Sequence, residues 1–161
     1  MTDRPVTTAI PPVVREVTVS LHRAAAFERF TAGIATWWPM KQYSVGQEQT
    51  VDVVLESGLG GRIYERLHDG TEHEWGRVKR WDPPNQVAFS WYPDRQPNDG
   101  MLVTVRFETV AYGTRVEVTH EGWESLGADA RTTRENYQGG WGGVLEQFAA
   151  ATSGAVPPGT R

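Results

Sequence analysis

Cysteine is absent from this chain of 161 residues. Disulfides, thiol nucleophiles and cysteine metal sites are therefore excluded, and an intracellular, cytoplasmic location is expected. No stretch approaches the roughly 20 apolar residues needed to span a bilayer. Met1 to Pro12 lacks a positive segment followed by an apolar run, so no secretory signal is expected. Basic residues are also short: Lys and Arg number 16 against 20 Asp and Glu, a formal charge of −4. A nucleic-acid partner would call for a basic stripe, and here acids alternate with arginines. Compact His/Asp spacing is missing, since His68 and His73 merely flank a turn beside Asp69; no metal and no cofactor is expected. No G-x-S-x-G nucleophile motif occurs. Gly139-Gly140 and Gly142-Gly143 are not a phosphate loop, because no strand abuts them and no Lys-Ser or Lys-Thr follows.

What the chain has in excess is tryptophan, seven residues spread from Trp37 to Trp141 without a repeat. Large aromatics of this kind fill a core between a sheet and a helix, or line a ligand cavity. The length suits one domain with a substantial core. Residues 1–12, with three prolines, read as a tail, and 153–161 as another, around a domain at 13–152.

Val13 to Leu21 alternates as a strand. Ala24 to Trp38 carries a rough helical stripe of Ala25, Phe27, Phe30 and Ile34, broken near Gly33 and ended by Pro39. Residues 40–48 read as a polar loop. A meander follows: Thr50–Glu56, Gly61–Leu67, Glu72–Trp81, Gln86–Tyr92, Met101–Val110 and Thr114–Glu121. Asp69-Gly70 signals a tight hairpin, and Asp82-Pro83-Pro84-Asn85 a turn. In the last strand Val116, Val118 and His120 share one face. The final helix, Asp129–Thr152, is about 36 Å long at 1.5 Å per residue. Its stripe is Trp141, Val144, Leu145 and Phe148 at i, i+3, i+4 and i+7. An apolar sheet face ending in a histidine beside such a helix points to a pocket between them.

Four segments carry a family resemblance. They are Gly60-Gly61-Arg62-Ile63-Tyr64-Glu65; Gly76-Arg77-Val78 with Asp82-Pro83-Pro84 and Trp91; Gly113 to Trp123, matching G-T-R-V-x-V-x-H-x-G-[FW]; and Gly140-Trp141-Gly142-Gly143-Val144-Leu145. In this order they resemble the START-like (SRPBCC, birch-pollen-allergen-type) superfamily. Its nearest branch is the one named after the activator of the heat-shock-protein-90 ATPase. The resemblance spans about residues 13 to 152 and implies an α+β helix-grip fold: a curved antiparallel sheet wrapped around a long C-terminal helix, with two short helices after the first strand. Functionally it implies small-molecule carriers, polyketide cyclases, lipid-transfer modules, resistance proteins or co-chaperones. The two-domain co-chaperones resemble this chain in one domain only. A homodimer is left open.

Glu65 shares a strand face with Ile63 and Leu67, so it is expected to point inward. A two-residue turn at Asp69-Gly70 would set Glu74 opposite Glu65 and Ile63 opposite Gly76. Two facing carboxylates would raise one pKa. A nearby arginine, or a bulge turning Glu74 outward, is the alternative. His120 should face Val103, as a ligand donor or proton shuttle, or as a core histidine bonded to a carbonyl. Four glycines around Trp141 each cost a helix about 1 kcal/mol against alanine, so close packing or room for a ligand must compensate. The expected function is binding of a small amphipathic or aromatic hydrophobic ligand between sheet and helix. Trp91 and Trp141 would be walls, Phe148 a floor, and Glu65 and His120 the polar contacts. The alternatives are a cyclase or hydrolase with Glu65 and His120 as acid–base pair, and a co-chaperone-like interaction module. Glu65→Gln is expected to weaken ligand binding with little loss of fold.

Overall fold

The computed structural model describes residues 10–153. Residues 1–9 and 154–161, most of both expected tails, lie outside the described residues. The elements run β1 (Val13–Val19), α1 (Arg23–Phe30), α2 (Met40–Tyr43), β2 (Thr50–Leu55), β3 (Arg62–Leu67), β4 (Glu72–Asp82), β5 (Gln86–Ser90), β6 (Leu102–Val110), β7 (Gly113–Glu121) and α3 (Ala130–Ser153). Single 3₁₀ turns at Ile34–Thr36 and Gln47–Gln49 flank α2, and a third segment, Trp123–Asp129, leads into α3. The sheet is antiparallel throughout, in the order β1-β7-β6-β5-β4-β3-β2. β2 to β7 form the expected six-strand meander, and β1 closes against β7. The sheet is curved and grips α3, the helix-grip arrangement.

Alternation decides which face is covered. In β7, Thr114, Val116, Val118 and His120 are buried while the intervening residues are partly exposed. Its partner β6 sets Phe107 against Val116, Val105 against Val118 and Val103 against His120, the register expected from the pattern. Against this face lies the α3 stripe: Trp141, Val144, Leu145 and Phe148 are all buried. Phe148 packs edge-on to Phe30 of α1 at 5.3 Å and to Trp37 at 4.8 Å, so it seals the α1 end of the core.

Residues 40–48 depart from the expected loop, holding α2 and a 3₁₀ turn. Both turns are too short for a period to register, and the Glu65 carboxylate described below bonds the Val45 and Gly46 N–H groups that lie between them.

The four helix glycines separate into different roles. A Cβ at Gly142 would come 2.5 Å from the Arg15 guanidinium of β1, which donates to the Gln138 carbonyl at 3.0 Å. A Cβ at Gly143 would come 2.6 Å from the Tyr43 hydroxyl oxygen. Gly140 faces the cavity described below, with Tyr43 at ordinary contact distance. Around Gly139 a Cβ would meet nothing within 4 Å.

Candidate functional site

Four tryptophans from four parts of the chain close into a ring. Trp38 lies 5.2 Å from Trp75, Trp75 lies 5.6 Å from Trp91, Trp91 lies 5.6 Å from Trp141, and Trp141 lies 6.1 Å from Trp38, between ring centroids. All four are buried. Beside this ring, between the segment after α2, the segment after β5 and the middle turns of α3, is a cleft of about 340 Å³. Its wall includes Trp38, Tyr43, Ser44, Val45, Trp91, Tyr137, Trp141 and Val144, with Gly140 leaving space on the helix. The volume lies at the small end of the range of roughly 300–1,000 Å³ for ligand sites, and the mainly apolar wall with few polar atoms matches their usual chemistry.

Each indole N–H of the ring can be followed. Trp75 Nε1 donates to Glu65 Oε1 at 2.7 Å, Trp91 Nε1 to the Tyr137 hydroxyl at 3.0 Å, and Trp141 Nε1 to His120 Nδ1 at 3.0 Å. Trp38 Nε1 is buried and has no partner among the described residues, and the same holds for Ser44 Oγ and His120 Nε2.

Glu65 is fully buried but is not part of the cavity wall. Its Oε1 accepts from the Val45 N–H at 2.7 Å and from Trp75; its Oε2 accepts from the Gly46 N–H at 2.7 Å, the Thr50 hydroxyl at 3.2 Å and His73 Nδ1 at 3.1 Å. Burial pushes the Glu65 carboxyl up, but the donors Gly46, His73, Val45 and Trp75 together outweigh it and hold the group below its ordinary value. The carboxylate thus clamps the 44–46 segment, two of whose residues line the cleft. A Cβ at Gly46 would come 2.8 Å from Leu67 Cδ1 and 3.0 Å from Glu65 Oε2, so these side chains would have to shift to admit one.

Glu65 and Glu74 do not face each other; the alternative drawn from the sequence holds, a bulge that turns Glu74 outward to an arginine. Ile63 does pair with Gly76, but a bulge follows, so that Tyr64 pairs with Glu74 and Glu65 with His73. Trp75 is the extra residue, and it turns inward to bond Glu65 while Glu74 turns away. Glu74 instead takes both Nε and Nη2 of Arg77, at 3.1 and 3.0 Å, and the Tyr92 hydroxyl. Burial raises the Glu74 carboxyl, and the Arg77 and Tyr92 hydrogen bonds bring it below its ordinary value. Tyr92 is pushed up to about 12, by burial and by donating to that carboxylate.

His120 is fully buried behind the cleft wall, with Trp123 at 4.2 Å and Tyr137 at 5.1 Å between ring centroids. Because Nδ1 accepts from Trp141, the neutral ring carries its proton on Nε2. Burial pushes its pKa down to about 3. The imidazole makes no bond to a carbonyl among the described residues, since Nε2 has no partner there; the His120 backbone carbonyl accepts from Trp123 Nε1 at 2.8 Å.

Of the five residues singled out in the sequence, Trp91 and Trp141 line the cleft, whereas Glu65, His120 and Phe148 do not. Other wall residues, among them Trp38, Tyr43, Ser44, Val45 and Tyr137, are not singled out by the sequence. Tyr137 carried a usable signal, because it stands four residues before Trp141 and extends the same stripe. Tyr43 to Val45 carry none, lying in a polar segment whose Val45 and Gly46 N–H groups are bonded by a carboxylate distant in sequence.

The family model described as Activator of Hsp90 ATPase homolog 1-like protein (AHSA1) matches residues 22–153. The chain belongs to the AHSA1 family. No curated protein matches it. Among solved structures this AHSA1 chain is similar to an anthrahydroquino-gamma-pyrone synthase, Txn09, complexed with SUM: identity is 32%, TM-score 0.62, with 91% of this chain and 99% of that one covered. The AHSA1-like protein from Aeromonas hydrophila is 22% identical, TM-score 0.63, covering 89% and 93%. The Aha1 dimer from Colwellia psychrerythraea is 16% identical, TM-score 0.63, covering 89% and 97%. The last two likenesses bear on fold alone. Among the described residues no helix is long and apolar enough to cross a membrane.

Proposed function

We infer that this AHSA1 protein binds a flat aromatic small molecule in the cleft bounded by Trp38, Trp91, Tyr137 and Trp141. The observation that carries this reading is the cleft itself: about 340 Å³ walled by aromatic rings on three separate chain segments. Rings offer large contact area and edge-to-face geometry to another ring system. Tryptophan fluorescence tests the idea. A fused-ring hydrocarbon such as fluorene should give a saturable change, and Trp91→Phe and Trp141→Phe should each reduce it. A linear, unsaturable response, or one indifferent to both substitutions, refutes the reading.

A second reading, turnover of the bound molecule, is favoured by the 32% identical neighbour, whose name is that of a synthase. The pair Glu65 and His120 is poorly suited to proton transfer. Glu65 already accepts five hydrogen bonds, and His120 is uncharged at neutral pH behind Trp141. Catalysis here would rest on holding a reactive substrate in one fold through the cleft's own hydroxyl and indole groups. Product formation that survives His120→Asn would fit this form of the reading, and its abolition by that change would revive the acid–base form.

A further inference from the structure

We propose that Trp38 and Ser44 form a hydrogen-bond-donating notch in the cleft wall, which selects neutral aromatic molecules bearing an acceptor oxygen, such as a ketone or quinone carbonyl. The inference rests on the cleft being a ligand site, and it adds which atoms read the ligand and what chemistry they demand.

Three of the four ring indoles donate within the protein, and the fourth, Trp38, has no partner among the described residues. Ser44, six residues on, lines the same cleft and is likewise unpartnered among the described residues. Both residues are more than nine-tenths buried, at 6% and 8% exposure. A polar group removed from water without a partner is costly, and natural structures retain few of them. Two such groups on residues that line one cleft are most simply accounted for by a partner that enters the cleft.

The chemistry of that partner follows from the donor set. An indole N–H only donates, and a serine hydroxyl donates readily. The Tyr137 hydroxyl, which accepts from Trp91, keeps its own proton to give. Among the wall residues the only charged side chain is Asp94, which is exposed, so a buried ammonium or carboxylate on the ligand would find no counter-ion. A carbonyl oxygen with two lone pairs satisfies an N–H and an O–H together. Both protein atoms are out of reach of water, so the ligand oxygen enters by a small parting of the wall. Tyr43, exposed at the rim and lying on Gly140 and Gly143, is the side chain able to yield.

A matched pair of probes separates this proposal from the cleft reading beneath it. Fluorene and 9-fluorenone share a planar three-ring frame and differ in one carbonyl. Equilibrium dialysis should show fluorenone bound at least about fivefold more tightly, the worth of one net hydrogen bond. Ser44→Ala and Trp38→Phe should each bring that ratio toward one. Ser44→Ala should also melt no lower than the parent, since it removes an unsatisfied group; should Trp38→Phe fail to fold, Ser44→Ala alone decides. Equal binding of the two probes overturns the notch while leaving the cleft reading intact. A preference for fluorenone that persists in both variants overturns it too, by assigning the contact to another donor. If neither probe binds, the cleft reading falls and the notch with it.

Discussion

Replacing Glu65 by glutamine keeps the shape of the side chain and removes its charge, and the structure makes this a folding mutation. Five donors converge on the carboxylate: the Val45 and Gly46 N–H groups, Trp75 Nε1, the Thr50 hydroxyl and His73 Nδ1. The least harmful placement of an amide keeps its oxygen toward Val45 and Trp75 and its nitrogen toward Thr50 and His73, both of which can reorient to accept. The Gly46 N–H cannot, and it is left facing another N–H. One orphaned donor costs about 1–3 kcal/mol, and the surviving bonds lose their charge assistance. A total of about 2–4 kcal/mol is expected, against a whole-domain stability of about 5–15. For a domain of this size that is a fall in melting temperature of very roughly 10 °C. This differs from the expectation drawn from the sequence alone, of weakened binding with little loss of fold, and the melt distinguishes the two. The pH dependence supplies a second check with a definite sign. Because the folded pKa lies below the ordinary 4.5, the stabilisation is complete above that value and is lost as pH falls through the folded pKa. The gap between parent and variant should therefore narrow in acid. Thermal melts read by circular dichroism from pH 7 to pH 3 measure both. A variant that melts within about 2 °C of the parent at pH 7 would refute the clamp.

His120, with its pKa lowered from 6.5 to about 3, should also link stability to pH. Its contribution is complete above 6.5 and is lost at up to about 1.4 kcal/mol per unit as pH falls toward 3; urea titrations of His120→Asn should show a flatter dependence than the parent between pH 6.5 and 5. Gly139→Ala fills open space in a helix interior and should stabilise by about 1 kcal/mol, seen as a higher urea midpoint with unchanged slope. Gly143→Ala must displace the Tyr43 hydroxyl and should lack this gain. Ending the chain before Tyr137 strips four buried side chains worth about 6–12 kcal/mol together, so the truncated protein should show no cooperative melt.

The sheet was legible because its signals are local. Alternation, the Asp-Gly turn and the paired prolines define strands within windows of a few residues, and the β6–β7 register followed from matching two apolar faces. The helix stripe likewise named four residues that are all buried. At β3–β4 the pattern left two registers open, and the structure takes the bulged one, which inserts Trp75, points it at Glu65 and sends Glu74 to Arg77. No composition signal marks such an insertion, which is stabilised by a bond between side chains ten residues apart. The surroundings of Glu65 are hidden from the sequence for the same reason. Glu65 was correctly read as inward-facing, but its partners come from a polar segment with no period, and those partners make it a clamp behind the cleft wall. The segment holding Ser44 to Gly46 is fixed by that clamp, which no local pattern announces.

The seven indole N–H groups provide the most direct test of where a ligand sits. In a ¹H–¹⁵N correlation spectrum with assigned indole resonances, saturating 9-fluorenone should shift Trp38, Trp91 and Trp141. Trp37 and Trp81, which pack with Phe30 and Phe27 at the α1 end of the core, should stay in place. Movement of Trp37 and Trp81 with the other three unchanged, or no movement at all, would contradict a ligand site in this cleft.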